Sequence, residues 1–383
     1  MKILYGVVGE GMGHATRSRV SLEWLLAAGH EVHVVVSGRA HRFLGERLAG
    51  RAGFSLEEIH GLHLRYEGNR VDLSESLRRN LEQGPEAFFR NVAAYLRLQR
   101  QRFEPELVIS DFESWAYLYG LAHRLPVVSI DNMQVLARCR HTIDTTALES
   151  FSYQLARTAV KLKLPGAYHY LITSFFYPPV KKPRTTLIPP ILRPEILAAR
   201  REPGEHVLVY QTAAANSELV PMLQRLPGSF KVYGLGRAGQ EGNVTLCPFS
   251  ETAFVDDLRT ARAVVAGGGF SLMGEAVHLR VPLLAIPLEK QYEQELNARY
   301  LEKLGYGSFA ESFNEADILG FLGKLDQYSA ALQSYPSPDN GVLYGCLAEL
   351  LARVAIGEPP PDWLDHPAPG KWEGPLRALP DEP

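Results

Sequence analysis

The chain has 383 residues, and at about 100–200 residues per domain two domains are the default. Apolar residues make up 46% and charged residues 22%, which excludes a disordered chain, and a net charge of -3 argues against a phosphate backbone as partner, so no nucleic acid is expected. The cysteines, Cys139, Cys247 and Cys346, have neither zinc spacing nor the pattern of a disulfide framework, and they read as buried thiols in a reducing compartment.

Lys2 to Val8 is a short β-rich run, broken by glycines and too short for a signal peptide. No stretch of about 18 apolar residues follows, so no membrane span is expected and the cytoplasm is the expected location. Thr16 to Ala28 has helical periodicity and ends at Gly29, where a C-terminal glycine belongs. Glu31 to Val36, Leu107 to Ser110 and Val127 to Ile130 are further strands, with a helical stretch from Ser114 to His123. Short apolar strands spaced by helices imply a parallel sheet covered on both faces. Residues 60–105 read as a helical insertion without a clear strand, and residues 140–170 as mainly helical and locally basic.

A connection holding Pro178, Pro179, Pro183, Pro189, Pro190 and Pro194 is expected to be stiff and extended. It divides an N-terminal domain, residues 1–190, from a C-terminal domain, residues 191–383. The second half repeats the alternation, with strands at His206 to Tyr210, Phe230 to Tyr233, Val244 to Leu246, Ala263 to Ala266 and Leu283 to Ile286. The proline-rich tail from Gly357 is expected on the surface.

Two glycine-rich turns carry the chemistry. The first, Gly9-Glu10-Gly11-Met12-Gly13-His14, joins the first strand to the first helix. Glycines there permit a tight turn and close approach of a ligand, and the helix N-terminus offers free amides to an anion. The spacing departs from a dinucleotide fingerprint, and Ser37-Gly38-Arg39 stands where an acidic residue would bind a ribose. Arg39 would suit an NADP phosphate, which keeps a dehydrogenase as the last-ranked alternative. His14 projects above the sheet, where an imidazole can act as general base. Asp111 ends another parallel strand on the same edge, so it could orient that ring, or cap the helix that follows, or do both.

The second turn is Gly267-Gly268-Gly269, between the strand at Ala263 and a helix opening with Phe270 and Ser271. Its amides could cradle a diphosphate. Glu275, one turn into the helix, could accept hydrogen bonds from ribose hydroxyls or simply lie on an exposed face. Downstream, the strand Val281 to Pro287 leads to polar residues that include Glu293 and Gln294, placed either for sugar hydroxyls or as a solvated helix start.

The combination GGGFSLMGEA, VPLLAIP and EQELNARYLEKLGYG resembles the donor-binding region of GT-B glycosyltransferases, among them MurG and the UDP-glycosyltransferases. GEGMGHATR is similar to the first turn of the same enzymes. The resemblance implies two Rossmann-like α/β domains with parallel sheets facing across a cleft, a nucleotide-sugar co-substrate and no other cofactor. It places Gly268, Gly269, Phe270 and Ser271 at the diphosphate, Glu275 at the ribose, and Glu293 with Gln294 at the donor sugar. It makes His14 the base and Asp111 its supporting acid, beside the turn glycines Gly9, Gly11 and Gly13. The implied enzyme inverts the anomeric centre and uses no metal. Two positions depart from the pattern: Arg280 stands where a glycine precedes Val-Pro, and Leu272 where a Ser or Thr precedes the glutamate.

The resulting expectation is a hexosyltransferase using a nucleoside-diphosphate sugar, most readily a UDP-sugar, with a small-molecule, glycan or lipid-linked acceptor. His14 deprotonates the acceptor, and Arg17 and Arg237 are candidates to steady the leaving diphosphate or are solvated surface residues. Closure of the two domains over the donor would exclude water. A UDP-sugar epimerase and a non-catalytic nucleotide-sugar-binding protein are the alternatives. Leu162, Leu164, Lys161 and Lys163 could touch a lipid-linked acceptor at a membrane surface, but such a stretch is more often an ordinary amphipathic helix, which is the favoured reading.

Overall fold

A computed structural model describes residues 1–9, 11–61, 65–67, 70–72, 84–141, 143, 151–211, 218–289 and 291–364. The chain forms two compact units. The first comprises Met1–Arg65, Leu73–Arg193 and Asn340–Pro383, and the second Tyr66–Asp72 and Pro194–Asp339.

The first unit is built on a seven-stranded sheet. Its order is Phe54–Glu58, Glu31–Val36, Lys2–Val7, Leu107–Asp111, Val127–Asp131, His169–Thr173 and Thr185–Ile188, paired in parallel throughout. Apolar side chains fill both faces, as a sheet covered on two sides requires. The order runs outward in both directions from Lys2–Val7, so the switch point lies between that strand and Leu107–Asp111. In such sheets ligands bind outside the carboxyl ends of the strands at that point.

The second unit repeats the plan with a seven-stranded sheet. The order is Gly239–Glu241, Val244–Cys247, Ser229–Tyr233, His206–Tyr210, Ala263–Ala266, Leu283–Ala285 and Gly307–Phe309. Only the edge strand Gly239–Glu241 is antiparallel among these pairs. Its switch point lies between His206–Tyr210 and Ala263–Ala266, the strand that leads into the second glycine turn.

Three expectations need correction. Thr185–Ile188, inside the proline-rich connection, is the edge strand of the first sheet and not a free linker. Pro183 and Pro189 flank it from outside, so no ladder hydrogen bond is lost to a proline. The stretch 60–105 holds the short strands Arg65–Glu67 and Arg70–Asp72 besides the helix Gly84–Arg100, and its other central residues lie outside the described ones.

The third correction concerns the C-terminus, which does not stay with the second unit. Helix Gly341–Ala355 buries Val342, Leu343, Cys346, Leu347, Leu350 and Leu351 in the core of the first sheet. That spacing is the apolar stripe of an amphipathic helix. Tyr344 stacks on Trp24 at 5.5 Å. Beyond it, Thr185 N donates to Asp362 O (3.0 Å), and Leu364 N to Thr186 Oγ1 (3.0 Å). Trp363 is exposed while Leu364 is buried, and the rest of the tail lies outside the described residues.

Candidate active site

In the first unit, strand Lys2–Val7 turns into helix Met12–Ala27 through Gly9 and Gly11. A β-carbon on Gly9 would lie 2.1 Å from Ser37 Oγ, so only glycine lets the turn pass the end of Glu31–Val36. Gly11, at φ 80°, caps the helix without a side-chain hydrogen bond. Gly13 is already inside the helix, where its carbonyl accepts from Thr16 Oγ1 (3.1 Å). Glu10 lies outside the described residues.

His14, Arg17 and Ser18 follow at helical i, i+3 and i+4 spacing and share one face. All three converge on Asp111, which ends the neighbouring strand opposite Val7. His14 Nδ1 lies 2.7 Å from Asp111 Oδ1. Arg17 donates to both carboxylate oxygens, through Nε to Oδ2 at 2.8 Å and through Nη2 to Oδ1. Ser18 Oγ donates to Oδ2 at 2.8 Å. Asp111 is 1% exposed, whereas the His14 ring keeps 20% of its surface and can be reached.

Arg17 Nη2 also approaches His14 Nδ1 to 2.6 Å, because both nitrogens serve the same oxygen. Nδ1 can donate to Asp111 or accept from Arg17, but not both at once. The charged carboxylate is the stronger partner, so the proton belongs on Nδ1 and Nε2 is the acceptor nitrogen. Burial, then the Arg17 charge, push His14 below its ordinary value against the upward pull of Asp111. Burial would raise Asp111, but Arg17 and His14 outweigh it and hold the carboxyl well below the usual range.

The helix-capping role open to Asp111 falls instead to Glu113. Its Oε1 accepts from Trp115 N (2.9 Å) and its Oε2 from Ala116 N (2.7 Å). Between them Phe112 has φ 54°, an outlier for a bulky residue, and Lys163 Nζ sits 3.9 Å from its ring centroid. A second buried carboxylate, Asp131, ends the next strand. It accepts from Ser129 Oγ (2.7 Å) and Gln134 N (2.8 Å), and burial raises it to about 6. Sequence reasoning passed over Asp131, although VVSID repeats the strand-ending pattern of LVISD.

Arg17 is therefore not a surface cation available to a diphosphate, since it is 6% exposed and committed to Asp111. Arg237, half exposed in the second unit, pairs with Glu241 at 3.1 Å. Leu164 is buried, while Leu162 and Lys161 are exposed. A cavity of about 540 Å³ in the first unit, lined by Glu106, Arg124, Val127 and Tyr168, lies toward the amino ends of the strands and touches none of the predicted site residues.

In the second unit, Ala263–Ala266 leads through Gly267–Gly269 into helix Phe270–His278, whose N-cap Gly269 makes no side-chain hydrogen bond. A β-carbon on Gly268 would lie 2.5 Å from Gln294 O, so the turn packs directly on helix Tyr292–Lys303. On Gly269 it would meet nothing within 4 Å, which leaves room beside that residue. Phe270 is buried and Ser271 half-buried. Glu275 is 7% exposed, so it does not lie on a solvated helix face.

Glu293 is also buried, and its Oε1 accepts from Asn297 Nδ2 (2.5 Å). Gln294 Oε1 accepts from Leu288 N (3.0 Å), so that oxygen serves the loop before the helix. Asn297 was not singled out in the sequence. It is fully buried, donates to Gly268 O (3.3 Å), and so ties the glycine turn to Glu293. The i, i+4 step from Glu293 to Asn297 was the signal. Among the described residues, no three His, Cys, Asp or Glu side chains cluster as a metal site.

A family model described as glycosyl transferase family 1 matches residues 1–326. An uncharacterized glycosyltransferase of Methanosarcina acetivorans is 26% identical over 333 residues, covering 80% of this chain and 85% of its own. One from Methanosarcina mazei is 27% identical over 349 residues, with 80% and 85% covered. Among solved structures, the spinosyn forosaminyltransferase SpnP superposes with a TM-score of 0.61 at 15% identity, covering 92% of this chain and 99% of that one. UGT2 of Phytolacca americana, complexed with UDP-2fluoro-glucose and pterostilbene, gives 0.63 at 15% identity, covering 93% and 98%. These likenesses show the fold, two parallel-sheet Rossmann-like α/β domains of the GT-B type.

Proposed function

Because the chain belongs to glycosyl transferase family 1 and is a glycosyltransferase, we propose that it moves a hexosyl group from a UDP-sugar to an acceptor hydroxyl with inversion and without a metal. The observation that carries the reading is the His14–Asp111 pair at the switch point of the first sheet. With Nδ1–H held by Asp111, Nε2 can take the acceptor proton as its oxygen attacks the anomeric carbon. The bond to the diphosphate breaks on the opposite face. The first unit supplies the acceptor side and the second the donor side. Gly268, Gly269, Phe270 and Ser271 face the diphosphate, Glu275 the ribose, and Glu293 and Gln294 the sugar. The N-terminus of helix Phe270–His278, whose N-cap Gly269 brings no capping side chain, supports this, since helix N-terminal amides suit a dianion.

On the acceptor side, helix Phe151–Lys163 exposes Leu155 and Leu162 beside Lys161, which supports a lipid-linked acceptor met at an anionic membrane surface. No helix among the described residues is long and apolar enough to cross a membrane.

Thermal shift against UDP, GDP, TDP, CDP, NAD and NADP, with Glu275→Ala as control, tests the donor class. Stabilisation by UDP that disappears in the variant is the expected result. Stabilisation by NADP alone would overturn the reading.

A further inference from the structure

We propose that Arg17 is a positioning residue for His14: by clamping both oxygens of Asp111 it supplies that carboxylate's counter-charge, so that the imidazole enters the reaction neutral with Nδ1–H fixed. The inference rests on the proposed role of His14 as base.

Consider the pair without Arg17. A carboxylate that is 1% exposed, 2.7 Å from an imidazole, would draw a proton onto the ring and form an ion pair. A ring already protonated cannot take a proton from an acceptor. Arg17 removes that pull. Its Nε and Nη2 reach Oδ2 and Oδ1 in the two-pronged geometry that matches a guanidinium to a carboxylate. The negative charge is then balanced before His14 is counted.

The same bonds fix the geometry. Oδ1 accepts from Arg17 and His14, and Oδ2 from Arg17 and Ser18, so each oxygen has two donors and the carboxylate cannot rotate. His14, Arg17 and Ser18 come from one helix face, which makes the clamp a property of the segment His14–Ser18 together with a single strand end.

Other charged and titratable groups face the cluster. Tyr5 lies on the first strand, with its hydroxyl pushed up by burial and by Asp111, and stays neutral. Asp131, from the next strand, acts on Arg17 and Asp111. Lys163, from helix Phe151–Lys163, opposes a charge on His14 in the same sense as Arg17, with the smaller effect. Of these, Arg17 is the cation that contacts both members of the pair.

The test is an NMR titration of the His14 ring in the full-length chain, assigned with His14→Gln, beside the pH profile of UDP release from a UDP-sugar. Wild type, Arg17→Gln and Arg17→Lys are compared. In wild type, His14 should titrate below 6.5 despite the carboxylate beside it, and a value above 6.5 would overturn the inference. In Arg17→Gln the titration and the acid limb of turnover should both move up by about one pH unit. An unmoved titration, with turnover lowered equally at every pH, would reduce Arg17 to a structural role and overturn it. Arg17→Lys keeps the charge, so His14 should titrate as in wild type while kcat falls about tenfold at unchanged donor KM, since one ammonium cannot span both oxygens. If Arg17→Gln does not fold, the wild-type and Lys measurements still decide. A titration that moves while turnover ignores it would refute the base role of His14 and leave the Arg17 assignment standing.

Discussion

Asn340 and Leu192 are 148 positions apart, and the Asn340 side chain bonds both backbone groups of Leu192: Oδ1 accepts from its N–H (2.9 Å) and Nδ2 donates to its C=O (2.7 Å). Both residues are buried, and they stand where the chain is about to leave the first unit and where it returns. Asn340→Ala would leave a buried N–H and a buried C=O without partners, at about 1–3 kcal/mol each. Urea unfolding of that variant should show a loss of about 2 kcal/mol or more. A loss under about 0.5 kcal/mol would mean that water replaces the clasp.

Arg280 has φ 57°, the left-handed region that costs a side chain about 1–2 kcal/mol and glycine little. This is the physical content of the glycine expected before Val281-Pro282. The side chain offsets part of the strain through Nη1 to Gln333 Oε1 (3.3 Å) and Nη2 to Tyr335 O (3.2 Å), yet its Nε is buried without a partner among the described residues. Arg280→Gly should therefore lie within about 1 kcal/mol of wild type. Arg280→Ala, which keeps the strain and loses the bonds, should be about 1 kcal/mol less stable than the glycine variant. Thermal melts of the two variants side by side check the order.

Much of the fold was legible because the strands are short apolar runs separated by helices, and because both glycine turns follow such runs. The pairing of His14 with Asp111 followed from one fact, that parallel strands end on the same edge. What stayed hidden depends on distant partners. The HYLIT and TTLI strands sit among prolines and polar residues, and only the pairing of HYLIT with Val127–Asp131 and of TTLI with HYLIT reveals them. Helix Gly341–Ala355 returns to the first sheet because its apolar stripe fits there, a choice its own sequence does not encode. Arg17 looked like a solvated cation because its partner lies 94 residues away.

Acid should weaken the fold through buried histidines. Burial pushes His33 and His169 down to about 4, and each is almost fully buried. Their folded values lie below the unfolded one, so the stability they carry is complete above pH 6.5 and is lost as pH falls through about 4. At about 1.4 kcal/mol per tenfold in proton affinity, each accounts for about 3 kcal/mol. Asp131 acts in the opposite sense: its raised carboxyl contributes stability below 3.8 that is lost as pH rises through about 6. His169 also bonds Thr186 Oγ1 (2.9 Å) and Pro361 O (3.1 Å). His169→Asn should be less stable than wild type at pH about 7.5, and the gap should narrow by about 3 kcal/mol at pH about 4. A gap independent of pH would show that the ring does not titrate on unfolding.

In the proposed reaction His14 moves the proton while the second unit holds the donor. The direct measurement is calorimetric binding of a UDP-sugar to wild type and His14→Ala, with UDP release followed in the same samples. Donor affinity within about threefold of wild type and release slowed by about 100-fold or more, the range for a lost general base, are the expected results. Release at the wild-type rate, or loss of donor binding with normal turnover, would contradict it.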